Sequence, residues 1–379
     1  MPGRNQNRDR TLSIFLCGDL MTGRGIDQIL PHPGDPRLHE PVVEDARRYV
    51  ELAERAHGPI PRGCVFAYPW GDALAELQRR APDLRLANLE TSITVSNDYW
   101  PGKGINYRMH PKNAPVLSAA GIGVCALGNN HVLDWGYAGL AETLRVLDQT
   151  GIRHAGAGAS RRETEAPAVV ALPGKGRGRV LVFSFGAASS GIPGGWAATD
   201  DRAGVALLPD FSATTIEQIR RRIAAARRPG DLVIASLHWG GNWGYAIPHP
   251  HRSFAHRLID EAGVDLVHGH SSHHPIGIEV YRERLILYGC GDLLTDYEGI
   301  AGYEEFRADL GLLYFAELHP RTRTLAALEM VPLQTRNFRL QRASKADARW
   351  LMEVLNREGR GLGTRTEITQ ENALRLLWE

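Results

Sequence analysis

The sequence lacks several features that would place it in a familiar class. Its four cysteines, Cys17, Cys64, Cys125 and Cys290, lie far apart without a C-x-x-C pair, which argues against a disulfide scaffold or structural zinc site. No apolar run approaches the roughly 20 residues that a membrane helix requires. The polar N-terminus MPGRNQNRDR has no signal-peptide core. We therefore expect a cytoplasmic protein without a membrane anchor.

The chain of 379 residues also has almost no net charge, with 44 Lys and Arg against 43 Asp and Glu. Proteins that bind nucleic acid need clustered positive charge to neutralise phosphates, so we expect no nucleic-acid partner. Only four basic residues are lysines, and we attribute that bias to genome composition and give it no functional weight. A hydrophobic fraction of 43% is that of an ordinary globular protein.

The 15 histidines are unevenly distributed along the chain. His268, His270, His273 and His274 fall within the seven residues HGHSSHH, directly after an apolar run. Imidazole binds metals and exchanges protons near neutral pH, so this cluster indicates a functional site. A surface loop that is rich in histidine is the alternative interpretation.

Short apolar runs of strand length alternate with helical patterns, which predicts an α/β fold with a substantial sheet. The predicted strands are Leu12–Cys17, Leu84–Leu89, Ile122–Leu127, Val180–Phe185, Leu232–Leu237, Val264–Val267, Ile278–Tyr281, Leu285–Tyr288, Leu310–Leu318 and Leu325–Val331. The predicted helices are Trp70–Arg80, Tyr137–Thr150, Thr215–Arg228, Ser253–Ala262, Ala346–Arg357 and a last helix over TEITQENALRLLWE. We divide the chain into a flexible N-terminus (1–11), a main domain (12–340) and a C-terminal helical extension packed on it (341–379).

Polar residues follow six of the predicted strands at the point where each strand ends. They are Asp19, Glu90, the run Asn129-Asn130-His131, His238, the pair His268 and His270, and Asp292. The carboxyl ends of strands in open α/β sheets form the ligand crevice, so these side chains are expected to converge. A set of oxygen and nitrogen ligands without cysteine suits Mn, Fe, Zn or Ca.

In this order, the segments GDLMTGRG, ANLET, ALGNNHVLDWG, LHWGGNW and GHSSHHPIGIEVY resemble the CapA branch of the calcineurin-like metallophosphoesterases. That branch is named for poly-γ-glutamate capsule synthesis, and the likeness covers roughly residues 12–335. It implies a four-layered, two-sheet α/β sandwich with metal at the strand ends. A peptide epimerase of lasso-peptide biosynthesis, which inverts a C-terminal Cα centre, is similar to the same branch.

The resemblance also implies which residues hold a divalent metal ion. They are Asp19, Glu90, Asn130, His238 and His270, with His273 beside them. Met21 stands where related phosphoesterases have the histidine of D-x-H, and ANLE replaces their GD-x-x-D. Because a thioether is a poor ligand for a hard ion, we favour one metal ion over two. The sequence does not distinguish Mn, Ca, Zn and Fe.

The resemblance implies that His131 is the acid–base residue, and Asp134 lies three residues on. Asp19, His270 and His273 complete the predicted catalytic set. Two His–Asp pairs beside an ion suit the removal of a proton from Cα and its return from the opposite face. The same groups could equally activate water for hydrolysis.

The substrate prediction rests on cationic and aromatic residues near the motifs. Arg24 and Arg108 could bind a carboxylate of a peptide C-terminus or of polyglutamate, and Arg108 lies in the long irregular stretch 91–111, whose composition suits a substrate wall. Trp239, Trp243 and Tyr245 could form an apolar or stacking wall.

We favour Cα epimerisation near the C-terminus of a ribosomally made peptide as the reaction. The alternatives are a hydrolase of phosphoesters or of γ-glutamyl or other amide bonds, and a non-catalytic protein of poly-γ-glutamate biosynthesis. The sequence leaves the oligomeric state open.

Overall fold

The computed structural model describes residues 11–172 and 178–379, so most of the predicted flexible N-terminus lies outside the described residues. In chain order the strands are β1 (Leu12–Leu20), β2 (Leu84–Leu89), β3 (Ser92–Ile93), β4 (Arg108–Met109), β5 (Val124–Ala126), β6 (Arg153–Ala155), β7 (Ala157–Gly158), β8 (Ala168–Ala171), β9 (Arg179–Ala187), β10 (Gly204–Val205), β11 (Leu207–Leu208), β12 (Leu232–His238), β13 (Leu266–His270), β14 (Ile278–Tyr281), β15 (Arg284–Leu287), β16 (Asp292–Leu294), β17 (Leu310–Leu318), β18 (Leu325–Arg336), β19 (Arg339–Arg342), β20 (Thr364–Ile368) and β21 (Leu374–Trp378). The helices are α1 (Arg24–Ile29), α2 (Arg47–His57), α3 (Ala73–Arg80), α4 (Pro115–Ala119), α5 (Gly136–Thr150), α6 (Arg161–Glu165), α7 (Ala213–Ala226), α8 (His249–Asp260) and α9 (Lys345–Gly359).

Two large sheets organise the described residues. The first sheet has the order β20-β21-β18-β17-β1-β2-β5-β6, with β16 added beside β1 and β19 beside β18. Its β1, β2, β5 and β6 are parallel, whereas β17, β18, β21 and β20 pair antiparallel. The second sheet has the order β11-β9-β12-β13-β15-β14, and its central strands are parallel. The candidate site described below lies at the carboxyl ends of these parallel strands.

Alternate residues of β1 face two different cores. Ile14 and Leu16 pack between the two sheets with residues of β9 and β12, such as Val182. Phe15 and Cys17 point to the opposite side, into the core formed with α1, α2, α3 and α5. A third core joins α7 and α8 to the outer face of the second sheet. The predicted four-layered α/β sandwich, with two sheets between layers of helices, is confirmed.

The last predicted helix, over TEITQENALRLLWE, is wrong. These residues form a hairpin of β20 and β21, and β21 pairs with β18 in the first sheet. Leu374 and Leu376 are buried and Arg375 between them is exposed, a period of two that a strand satisfies and a helix does not. The preceding predicted helix corresponds to α9, so the C-terminus consists of one helix and two strands of the main sheet.

Within the part of the chain that the structure describes, no helix is both long enough and apolar enough to cross a bilayer.

His251 predicts an acid-sensitive contribution to stability. Its ring stacks on Trp239 at 4.7 Å, and burial lowers its pKa to about 4. Below pH 6.5 the unfolded chain protonates this histidine while the folded chain does not, so stability falls between pH 6.5 and 4. Urea unfolding measures the free energy of unfolding at pH 7 and at pH 4.5. We expect the decrease between these two pH values to be about 2 kcal/mol smaller in His251→Phe than in the unsubstituted protein. Equal losses in both proteins would contradict this.

Candidate functional site

Asp19, at the end of β1, lies at the centre of the site. A Cβ on the preceding residue, Gly18, would lie 1.8 Å from the carbonyl oxygen of Gly291, so only glycine allows β1 to approach the loop before β16. The backbone N–H of Asp19 donates to that same carbonyl at 3.1 Å. Its carboxylate accepts from Asn88 Nδ2 at 2.7 Å and from the N–H of Ser271 at 3.2 Å. The Asp19 carboxylate is thus held between the two sheets.

A first group of donor atoms surrounds Asp19 on the side of β12 and β13. Ligand atoms of Asp19, His238 and His270 all lie within 4.8 Å of one another. The two histidines are register partners, with their Nδ1 atoms 2.8 Å apart. Asn130 Oδ1 and Glu90 Oε1 lie 2.9 Å and 3.9 Å from His238 Nε2. The structure thus brings together all five predicted metal ligands, and their binding role stays a prediction.

A second group shares Asp19 with the first. It consists of Asp19, His273 and Asp292, whose ligand atoms also lie within 4.8 Å of one another. His273 Nδ1 lies 2.9 Å from Asp292 Oδ1, while the buried Asp292 Oδ2 has no hydrogen-bond partner among the described residues. Ser271, between the two groups, has a φ of 103°, a strained value for a residue other than glycine.

The second group changes the expectation of a single metal ion. That expectation followed from Met21, which is fully buried at the end of β1 and offers only a thioether. His273 and Asp292 nevertheless place nitrogen and oxygen donors beside Asp19. Donor atoms for a second ion are therefore present in spite of the methionine.

The electrostatics of both groups favour a bound cation. Burial and the nearby Asp292 carboxylate raise the pKa of Asp19 to about 7, and burial and Asp19 raise the pKa of Glu90. Burial likewise raises the pKa of Asp292, and it lowers the pKa values of His238 and His270 far below the usual range. Carboxylates that repel one another beside neutral imidazoles form a donor set that fits a divalent ion.

Within the described residues, the hydrogen-bond partners of the His131 ring lie at Nδ1. Its Nδ1 lies 2.6 Å from Asp134 Oδ2 and 2.8 Å from Lys103 Nζ, and Lys103 Nζ lies 2.5 Å from Asp134 Oδ1. The other ring nitrogen, Nε2, lies 3.6 Å from Glu90 Oε1. Burial lowers the pKa of His131 to about 4, although Asp134 acts in the opposite direction. The ring therefore presents Nε2 to Glu90, one of the predicted metal ligands.

Lys103 is a site residue that the sequence reasoning missed. Its side chain is only 13% exposed, and burial lowers the pKa of the ammonium group. The sequence contains a pattern that could have identified it. Lysine is rare in this chain, and Lys103 stands between two glycines in the stretch 91–111, which was predicted to form a substrate wall.

Arg24 and Arg108, which were predicted to bind a substrate carboxylate, both have partners within the fold, Arg24 also lines a cavity beside His273, and their substrate role stays a prediction. Arg24 is buried and donates to Asp296 through Nη2 at 2.5 Å and to Glu40 through Nη1 at 3.0 Å. Arg108 donates to two backbone carbonyls and lies 3.8 Å over the ring of Trp135. Both guanidinium groups are therefore occupied within the fold.

The three aromatic residues that were predicted to form a substrate wall lie in different surroundings. Trp239 is 3% exposed and its Nε1–H donates to the carbonyl of Tyr288, so it is held within the fold and its role in a substrate wall stays a prediction. Tyr245 packs edge-on against His274. Trp243 lies 5.2 Å from the ring of His273, and its place beside the site is compatible with the prediction.

Two openings lie beside the site. A cavity of about 530 Å³ reaches His273, and it is lined by Trp243, Tyr297, Tyr303, Ile300 and Ile105 among others. A cleft of about 640 Å³ reaches Lys103 and is lined by Tyr99, His39, Glu40 and Gly102 among others. The segment 102–105 separates them, because Gly102, Lys103 and Gly104 line the cleft whereas Ile105 lines the cavity.

Comparison with known proteins gives consistent matches. The family model of the bacterial capsule synthesis protein PGA_cap matches residues 13–297. A probable polyglutamine synthesis accessory protein of Mycobacterium tuberculosis is 48% identical over 367 residues, which is 97% of this chain and 96% of that protein. The PGA biosynthesis protein CapA of Bacillus subtilis is 25% identical over 76% of this chain and 64% of its own. A solved structure titled as a novel phosphatase from Mycoplasma pneumoniae is 11% identical, with a TM-score of 0.47, and covers 86% of this chain and 94% of its own.

The pairing of Arg24 generates a stability prediction. Arg24→Met leaves the buried carboxylates of Asp296 and Glu40 without their cation, which costs about 3–5 kcal/mol of unfolding free energy. Arg37→Met is the matched control, since it removes only the exposed pair with Asp35 and should leave the free energy of unfolding almost unchanged. Urea unfolding measures both variants. A similar small loss in the two variants would contradict a structural role for Arg24.

Proposed function

The chain belongs to the bacterial capsule synthesis protein family, and from this premise we propose that it is a metal-dependent hydrolase of amide bonds in a glutamyl polymer or peptide. The observation that carries the proposal is the pair of donor groups that share Asp19. Paired ions that share a carboxylate are a recurring arrangement in hydrolytic enzymes, including peptidases.

Two divalent ions would be held on the two sides of Asp19. His238, His270, Asn130 and Glu90 supply donors on one side, and His273 and Asp292 supply them on the other. The unpaired Asp292 Oδ2 supports this assignment, because a buried carboxylate oxygen without a donor is costly unless a cation binds it. Divalent ions supply Lewis-acid polarisation of an amide carbonyl and lower the pKa of a coordinated water.

We assign proton transfer to His131. Asp134 and Lys103 hold its Nδ1, so Nε2 is the nitrogen left to exchange a proton with the substrate. Asp134 also accepts the backbone N–H of Tyr107, which keeps the carboxylate in place. In amide hydrolysis we assign to the neutral ring of His131 the removal of a proton from the attacking water at Nε2 and the transfer of that proton to the leaving nitrogen.

A chain-like substrate is supported by two observations. Relatives of this chain are named for polyglutamine synthesis and for capsule biosynthesis. The cleft is lined by Lys103, which contacts His131, and the cavity is lined by His273, so each opening borders one part of the candidate site. We infer that segments of one polyamide chain bind on both sides of the cleaved bond.

Cα epimerisation is the second candidate, and a specific observation favours it. The cluster contains two separate His–Asp pairs, His131 with Asp134 and His273 with Asp292. One pair could remove the Cα proton and the other could return a proton from the opposite face. A purely accessory role in polymer synthesis is the remaining alternative.

One incubation separates the three possibilities. We expect α- and γ-linked glutamyl oligomers, incubated with the protein and Mn²⁺ in D₂O enriched in ¹⁸O, to give new amine ends and one ¹⁸O per new carboxylate. Deuterium at Cα without cleavage would replace hydrolysis by epimerisation. Neither change, with the oligomer still bound, would favour the accessory role.

The catalytic assignment of His131 predicts a large effect on turnover. His131→Ala should lower the rate of amide cleavage about 100-fold or more, because the leaving nitrogen loses its proton donor. His154→Ala, at a partly exposed histidine on β6 outside the site, is the matched control and should leave the rate unchanged. Retained cleavage by His131→Ala would contradict the assignment.

The shared carboxylate predicts a pattern of metal stoichiometry. We expect two Mn²⁺ per unsubstituted chain, one in His238→Ala, one in Asp292→Asn, and none in Asp19→Asn, measured by equilibrium dialysis with metal analysis. Asp201→Asn, an exposed carboxylate, should bind as the unsubstituted protein does. Full occupancy in Asp19→Asn would contradict the sharing of Asp19.

A further inference from the structure

We infer that Ser236 and His268 are positioning residues that leave Nδ1 of His270 without a proton and thereby prepare it to bind a metal ion. We call the chain of hydrogen bonds from the carbonyl of Cys17 through His268 and Ser236 to His270 the relay. The purpose that we assign to it rests on the proposed metal site. The hydrogen-bond directions follow from the contacts of Ser236, His268, His270 and Cys17 alone.

The relay begins at a backbone carbonyl of the other sheet. His268 is fully buried in β13, and its Nε2 lies 2.8 Å from the carbonyl oxygen of Cys17 in β1. A carbonyl oxygen only accepts, so His268 Nε2 carries a proton. Its Nδ1 lies 3.0 Å from the hydroxyl of Ser236. A carbonyl and a hydroxyl do not balance a positive charge, so the ring is neutral and Nδ1 accepts the hydroxyl proton.

The hydroxyl of Ser236 then determines the protonation of His270. A hydroxyl has one proton, and Ser236 has donated it to His268. Ser236 Oγ also lies 2.9 Å from His270 Nε2, so the oxygen accepts a proton from that nitrogen. A neutral imidazole protonated at Nε2 has a free lone pair on Nδ1.

The free nitrogen faces the predicted metal ligands. His270 Nδ1 lies 2.8 Å from His238 Nδ1 and 3.9 Å from Asp19 Oδ1. Ser236 pairs with His268, and His238 with His270, in the parallel register of β12 and β13. The sheet geometry therefore holds the relay and the ligand together. This explains His268, a member of the HGHSSHH cluster that the proposed mechanism does not use.

The first test reads the protonation state in the metal-free protein. With ¹⁵N-labelled histidine, we expect two-bond ¹H–¹⁵N NMR spectra to show Nε2 protonated and Nδ1 unprotonated in both His268 and His270. Spectra of His268→Asn and His270→Asn assign the signals. A proton on Nδ1 of His270 would overturn the inference, and this measurement needs no variant of Ser236 that folds.

The second test reads metal affinity. Ser236→Ala removes the acceptor of His270 Nε2–H, and we expect it to weaken binding of Mn²⁺ about tenfold or more in competition with a chelator. Ser184→Ala is the matched control, because Ser184 is the buried register partner of Ser236 on β9 and its hydroxyl contacts the N–H of Gly128. The control should retain the affinity of the unsubstituted protein.

The outcomes separate this inference from the proposed function. Equal Mn²⁺ affinity in Ser236→Ala and Ser184→Ala would overturn the positioning role. An unsubstituted protein that binds no Mn²⁺ would refute the proposed function and the purpose assigned to the relay. A His270 that is protonated at Nδ1 in a protein that still binds Mn²⁺ would refute the relay alone.

Discussion

The burial of several carboxylates close to one another is the constraint on which the rest of this site depends. Asp19, Glu90 and Asp292 meet where the carboxyl ends of the parallel strands of two sheets face each other, and burial together with mutual repulsion opposes their ionisation. Ser271, which lies between His270 and His273, has a strained φ of 103°. A bound cation would offset the cost of burying these carboxylates, and this is the physical basis of the proposed metal site.

The sequence predicted that the five proposed metal ligands would converge, because the carboxyl ends of parallel strands lie at one edge of each sheet, and the structure brings the two edges together. The predicted limits of Leu84–Leu89 and Leu310–Leu318 are those of β2 and β17. Asp19, Glu90 and His270 each end or directly follow a strand, so locating the strands also located the side chains. A period of two or a continuous apolar run is a local property, and local properties can be read from one sequence.

The features that the sequence did not predict involve partners that are distant in sequence or patterns that two structures share. Arg24 pairs with Asp296, which lies 272 residues away in the sequence, and no local sequence pattern predicts that pair. Lys103 reaches Asp134 from a loop without regular structure, so its contact depends on the tertiary fold. We predicted a helix for the C-terminal hairpin because Leu374–Trp378 is a short, mostly apolar segment. Such a segment is compatible with a helix and with a strand.

The central claim is that Asp19 is shared by two metal positions, and diffraction from crystals soaked in Mn²⁺ tests it most directly. We expect anomalous density at the manganese absorption edge on both sides of Asp19, one peak beside His238 and His270 and the other beside His273 and Asp292. Crystals that diffract with these side chains unmoved and show no anomalous density beside Asp19 would contradict it.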